Sequence, residues 1–206
     1  ELRPFVQAVV DRHPEFLDLA PDDRVRYTDT VIGILFYHHS RCGTIRLADL
    51  RASGFVPSLN GIGRLELGLE DCAYFSWTLF CEIRTTYFTL GRYSDEVRHD
   101  ALKDFTPDEG VAVGAVRAQR VLDIGHWSTT TRKPAECVKS SGDECGQALE
   151  FEAFVSFFLC EEALRSGTCS PKDIRYCFSV TDATGEGWIG RAEVTPFLED
   201  MVRGVP

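Results

Sequence analysis

The chain has no run of the ~20 apolar residues that a bilayer-spanning helix needs. Its longest, Val31 to Tyr37, is far shorter, so no membrane span is expected. It has no Cys-x-x-Cys, although it carries eight cysteines, at 42, 72, 81, 137, 145, 160, 169 and 177. Cys81, Cys160 and Cys177 fall within amphipathic runs, where a reduced thiol behaves as a small hydrophobe, and this usage points to the cytoplasm. A zinc site built from His126, Cys137 and Cys145 matches no recognised ligand spacing. Basic charge is scarce: 22 Lys and Arg stand against 32 Asp and Glu, for a net charge of -10 and a pI near 5.0. That balance argues against nucleic acid or an anionic membrane as the main partner. Catalytic signatures are missing as well. There is no G-x-S-x-G, no phosphate-binding glycine loop followed by lysine and threonine, and no histidine pair four residues apart. Glu161 and Glu162 are adjacent, so on a helix they face apart and do not form an acid–base pair. The sequence is not expected to encode an enzyme.

What is present is an ordinary globular composition, 44% hydrophobic and 26% charged over 206 residues, enough for one long domain or two lobes. One stretch carries chemistry: Asp182-Ala-Thr-Gly-Glu-Gly-Trp-Ile-Gly-Arg-Ala-Glu193. A twelve-residue calcium loop takes oxygen ligands from positions 1, 3, 5, 7, 9 and 12, with glycine at 6 for a sharp turn. Asp182, Thr184 and Glu186 occupy the first three, and the Trp188 carbonyl the fourth. Gly190 would admit a water, Glu193 closes the shell, and Gly187 holds the turn. Both flanks read as helices. Ser170-Pro171 is a cap with proline inside the first turn, leading to Ile174, Phe178 and Val180; Val194, Phe197, Leu198 and Met201 recur at helical spacing beyond the loop. Helix, ligand loop and helix make an EF-hand. Three carboxylates with threonine at position 3 predict calcium affinity on the order of micromolar or looser.

Three further helix–loop–helix units precede it, with degenerate loops. After a helix bearing Leu2, Phe5, Val6, Val9 and Val10, a second carries Val25, Val31, Ile34, Leu35 and Tyr37 into a loop from His38 to Asp49. Gly43, Ile45 and Asp49 keep their places there, but His38, Ser40 and Cys42 replace the first ligands. The adjacent His38 and His39 point in different directions from a helix end and read as surface or interface residues. Residues 55–70 read as a glycine-rich connector, and Asp71 as the start of a helix with Leu79, Phe80, Ile83, Tyr87 and Leu90 on one face. The second loop opens on Gly91, is one residue short, includes Asp95, and offers Val97 as its apolar residue. Thr106-Pro-Asp-Glu109 is a capping box for a helix to about Ile124, and 127–148 is a long polar segment without a period. In the third loop Asp143 and Glu144 are irregularly placed and Leu149 is the apolar position. A helical stripe of Phe151, Phe154, Val155, Phe158 and Leu159 follows.

The predicted fold is therefore all-α, with EF-hand-like helix–loop–helix units in two paired lobes, residues 1–105 and 106–206. Ile45 should pair with Val97, and Leu149 with Ile189, in short two-stranded contacts.

Arg26-Tyr-Thr-Asp-Thr-Val-Ile-Gly-Ile-Leu-Phe-Tyr37 and Gly43-Thr-Ile-Arg-Leu-Ala-Asp-Leu-Arg-Ala-Ser-Gly-Phe55 together resemble the B″ regulatory subunits of protein phosphatase 2A, including their plant cytoskeletal relatives. Tyr74-Phe-Ser-Trp77, Phe151-Glu-Ala-Phe-Val-Ser-Phe-Phe-Leu-Cys-Glu-Glu162 and Arg175-Tyr-Cys-Phe178 follow in the same order as in that family, so the resemblance covers nearly the whole chain. It implies an elongated helical EF-hand subunit that joins the phosphatase scaffold and catalytic subunits and selects substrates. Family members commonly have two competent calcium loops; the earlier, matching Gly91 to Leu102, has lost its ligands here. Carried over residue by residue, the ligands are Asp182, Thr184, Glu186, Trp188 and Glu193. An independent calcium-sensing adaptor or cytoskeleton-associated protein fits the same residues. In either case a cytoplasmic protein is expected, with association to the cytoskeleton or centrosome.

Overall fold

The structure, a computed structural model, describes residues 2–40, 44–94, 96–106, 112–129 and 148–203, and for 125–129 and 200–203 the backbone alone. Several expectations lie outside it: Cys42 and Gly43 of the first loop, Asp95 of the second, and the capping box at Pro107, Asp108 and Glu109. Cys137, Asp143, Glu144 and Cys145, most of the 127–148 segment, and the side chains of His126 and Met201 lie outside it too. Among the described residues the architecture is almost wholly helical, as expected, with one two-stranded ladder. Two compact units divide the chain, Glu1–Thr85 and Thr86–Pro206.

The first unit holds α1 (Arg3–Val10), α2 (Pro21–His39), α3 (Leu47–Ala52), α4 (Phe55–Gly63) and the start of α5 (Trp77–Leu90). Helix α2 starts on Pro21, whose missing N–H costs nothing in a first turn, with Asp22 and Asp23 beside the positive end of the helix dipole and His38 and His39 at the negative end. It is buried on several sides, through Tyr27, Val31, Ile34 and Leu35 among others. Tyr27 is the hub: its ring lies 4.5 Å from Phe16 and 5.2 Å, edge-on, from Phe80. Its hydroxyl donates to the Phe75 carbonyl, which satisfies a polar atom deep in the core. Burial pushes the Tyr27 phenol well above its usual range, with Glu70 adding to the shift, so it stays a neutral donor.

Two sequence expectations are corrected in this unit. Residues 55–63 of the glycine-rich connector form helix α4, and within it Gly61 serves close packing. A Cβ at Gly61 would come within 2.6 Å of the Leu67 side chain. The helix expected to open at Asp71 begins at Trp77 instead. Asp71 accepts the Gly68 N–H and closes a short 3-10 turn, Leu69–Asp71, while Ser76 Oγ accepts the Leu79 N–H and Glu70 the Thr78 N–H. His38 and His39 are half-buried and share a neighbour. His39 Nε2 lies 2.7 Å from the Tyr74 hydroxyl, which donates to the Ser53 carbonyl, and the His38 ring sits edge-on to Tyr74.

The second unit holds the end of α5, β1 (Val97–Arg98), α6 (His99–Lys103), α7 (Ala115–Thr129), β2 (Ala148–Leu149), α8 (Phe151–Arg165), α9 (Pro171–Thr181) and α10 (Arg191–Arg203). Here the loop pairing differs from expectation. Val97 pairs with Leu149 and Arg98 with Ala148, antiparallel, so the second loop joins the third, and among the described residues Val97 is paired with Leu149 where Ile45 was expected and Leu149 with Val97 where Ile189 was expected. The physical reason is burial. Val97 and Leu149 are 0% and 1% exposed, and Tyr87 donates to the Leu149 carbonyl while packing its ring on Phe151 and Phe154. A boundary at 105/106 would separate these partners; the compact units divide within α5.

Helix α8 is buried through Phe151, Phe154, Val155, Phe157 and Cys160, so Phe157 takes the place expected of Phe158. Glu161 also points inward, 6% exposed, and pairs with Arg117 of α7. Breaking such a pair leaves a buried carboxylate without its cation. Arg117→Ala is expected to destabilise the chain by about 3 kcal/mol in denaturant unfolding, the low end for a buried pair because Arg117 is 26% exposed. Burial raises the Glu161 pKa above 4.5, and Arg117 opposes that shift. Removing Arg117 raises it further, so the variant's deficit should grow as pH rises through the carboxylate range and shrink in acid.

Candidate metal centre

Helices α9 and α10 bracket the acidic loop. The Ser170 N–H and hydroxyl both lie 2.6 Å from Asp173 Oδ2, which closes the first turn of α9. Asp173 is thereby buried, and Ile174, expected on the apolar face, is 61% exposed; Val180 is buried as expected. In α10 Val194 and Phe197 are half-buried and Leu198 is exposed. Helix α10 packs on α7, and α9 packs on α7 and α8, so both flanks of the loop rest on the same helix.

Within the loop the oxygens of positions 1, 3 and 12 converge. Asp182 Oδ1 accepts the Glu186 N–H at 3.1 Å and Oδ2 the Gly187 N–H at 2.9 Å, which folds the chain back over the first loop residue. Gly187 has φ +80° with open space around its missing Cβ, so backbone conformation and not crowding demands glycine there. Thr184 Oγ1 lies 3.4 Å from Asp182 Oδ1 and 3.2 Å from Glu193 Oε1, bridging the two carboxylates with its single proton. Glu193 Oε1 also accepts the Thr184 N–H at 3.1 Å, and its Oε2 the Gly190 N–H at 2.9 Å.

Gly190 precedes the first turn of α10, so Glu193 is at once the last loop residue and the carboxylate that caps the helix. Sequence reasoning assigned only the first role, although an acid three residues after a helix start is the signal for the second. The Trp188 indole is 60% exposed and passes over Gly190, where a Cβ would meet the ring at 2.9 Å. Glu186 contributes its backbone N–H to the network, and Asp182 and Glu193 are the carboxylates that Thr184 links. Among the described residues no three His, Cys, Asp or Glu side chains gather as a metal-holding cluster.

The donors suit a hard cation. Calcium held by oxygens at 2.3–2.6 Å places neighbouring ligands about 3 Å apart, close to the spacing that Thr184 makes with both carboxylates. The backbone N–H groups of Gly190 and then Thr184 hold the Glu193 carboxyl below the usual carboxylate range, so it presents a full negative charge at neutral pH.

The second loop is closed by other means: Ser94 Oγ lies 2.6 Å from the Gly91 carbonyl and 2.9 Å from that of Glu96, sharing one proton between two oxygens. Arg92 and Tyr93 there have φ of +51° and +67°, which side chains adopt only at a cost of roughly 1–2 kcal/mol each.

Comparison with known proteins follows the same lines. Residues 1–64 match the family model for an EF-hand domain. Against the human alpha form of the B″ regulatory subunit of serine/threonine-protein phosphatase 2A, the chain is 27% identical over 202 residues, covering 96% of this chain and 16% of that protein. Against the human beta form it is 28% identical over 205 residues, covering 97% and 32%. To a probable B″epsilon regulatory subunit of the same phosphatase from Arabidopsis thaliana it is 26% identical over 207 residues, covering 98% and 36%. A solved chain described as a PP2A PR70 holoenzyme superposes with a TM-score of 0.71 at 26% identity, covering 96% of this chain and 67% of that one. The chain thus spans 16% to 36% of the length of these curated relatives. The EF-hand match falls on the first unit, whose loop lacks carboxylates at its first ligand positions, and not on residues 182–193.

Two measurements test the loop. Asp182→Ala should speed amide exchange at Glu186 and Gly187 while leaving Thr184 and Gly190 protected by Glu193. Because the Glu193 pKa is lowered, the order it lends the start of α10 should persist down to the ordinary carboxylate pKa of 4.5. It should then be lost as pH falls through the lower folded value, read from the carboxyl chemical shift.

Proposed function

We propose, from homology to the B″ regulatory subunits of protein phosphatase 2A, that this chain is the EF-hand portion of a non-enzymatic, calcium-binding regulatory subunit of that phosphatase. It would link the scaffold and catalytic subunits and select substrates. Alignment over 96% to 98% of the chain supports the phosphatase half of this reading. The observation that carries the calcium half is the meeting of Asp182 Oδ1, Thr184 Oγ1 and Glu193 Oε1. Asp182, Thr184 and Glu193 would hold the ion, with Glu186 and the Trp188 carbonyl completing its shell and Gly190 leaving room for a water. The ion would supply positive charge among carboxylates that otherwise lean on backbone N–H groups. Glu193, as cap of α10, makes that helix the element that responds. We assign the protein to the cytoplasm, in keeping with cysteines that sit in amphipathic runs as small hydrophobes.

Trp188 reports on its own loop. Calcium titration should give a saturable fluorescence change that Trp188→Phe removes and that Glu193→Gln shifts to at least ~10-fold higher calcium. A signal indifferent to Glu193→Gln would sink the ligand assignment. For the phosphatase half, the immobilised chain should retain purified scaffold subunit, alone or with the catalytic subunit. Calcium binding with no such retention would favour the independent adaptor.

A further inference from the structure

Helices α8 and α9 meet through two cysteines. Cys160 of α8 is 0% exposed, Cys177 of α9 is half-buried, and their sulfurs lie 3.5 Å apart in hydrogen-bonding contact. Cys160 Sγ also lies 3.9 Å from the Asp173 carbonyl. A disulfide needs the sulfurs about 2.05 Å apart, so closure asks for a small approach of two groups already facing each other. Cys177 is the more exposed residue of the two and Cys160 the buried one, the arrangement of an attacking thiol and a resolving thiol.

We infer that Cys160 and Cys177 form an oxidation site for hydroperoxides, at which Cys177 is oxidised first and Cys160 then closes a reversible disulfide between α8 and α9. The Cys177 thiolate attacks a peroxide oxygen; the O–O bond breaks, an S–O bond forms, and the departing hydroxide becomes water by taking up the proton that Cys177 gave up. Cys160 sulfur then attacks the Cys177 sulfenic acid. The S–S bond forms, the S–O bond breaks, and the departing hydroxide leaves as water with the Cys160 proton. Two thiols are oxidised by two electrons and one hydrogen peroxide is reduced to two waters. A dithiol reverses the bridge by exchange.

The surroundings favour the first step. The hydrogen bond from Cys160 lowers the Cys177 thiol most, burial opposes it, Arg117 adds to the lowering, and Glu161 and Asp173 oppose. The outcome is a pKa of about 7 in place of 9.0. Cys169, exposed and eight residues before Cys177, provides an internal comparison. The site stands apart from the calcium reading, since neither sulfur belongs to the acidic loop.

The test uses the intact reduced chain, treated with stoichiometric hydrogen peroxide, alkylated and digested for mass spectrometry. The expected product is a peptide pair cross-linked through Cys160 and Cys177 that dithiothreitol separates, with Cys169 still alkylated. In Cys160→Ala the reaction should stop at a Cys177 sulfenic acid that dimedone traps; in Cys177→Ala no bridge should form. Should the buried variant fail to fold, the peptide map of the unsubstituted chain decides alone. Oxidation of Cys169 while Cys160 and Cys177 both remain thiols would overturn the proposal. So would a bridge mapped to any other pair.

Discussion

The contact between Val97 and Leu149 is the constraint on which the second compact unit depends. An isolated two-stranded ladder is marginal in water, so its worth lies in what it covers. Both side chains are all but inaccessible, and Tyr87 reaches the Leu149 carbonyl from the core side. Once these loops meet, the end of α5, the short α6 and the long α8 must converge around Phe151, Phe154 and Phe157. Helix α7 then closes over α8 through Arg117 and Glu161. The terminal helix pair rests on this assembly, and its loop inherits its placement from α7.

The loops differ in what holds them shut. Where acids have been lost, protein hydrogen bonds do the work: the Ser94 hydroxyl draws together two carbonyls in the second loop, and His39 and Tyr74 tie the end of α2 to Ser53. These contacts need no ion. The terminal loop keeps its acids, and its carboxylates lean on backbone N–H groups that are modest partners compared with a divalent cation. Glu193 makes the difference consequential because it also caps α10.

Much of this was written locally and could be read locally. The helix starts at Pro21 and Ser170, the turn at Gly187, and the order of polar residues from Asp182 to Glu193 follow from dihedral preference, capping and spacing, which act over a few residues. The order of aromatic segments pointed to the B″ family for the same reason. Local signals mislead where one residue has two possible uses. Gly61 reads as flexibility and serves as contact space for Leu67, and Asp71 reads as a helix start and closes a 3-10 turn. Ile174 holds an apolar position yet faces solvent, because the buried Asp173 beside it satisfies the cap.

The sequence by itself determined that the chain is helical, that its last loop is acidic with glycine at the turn, and that the earlier loops lack the carboxylates to match. Only the tertiary structure decided which loops pair, that α5 runs across the division between units, and that Cys160 and Cys177 face each other. The reason is physical: each helix–loop–helix unit carries an apolar face that fits more than one neighbour, so the choice is made by total burial across distant segments, which no local pattern records.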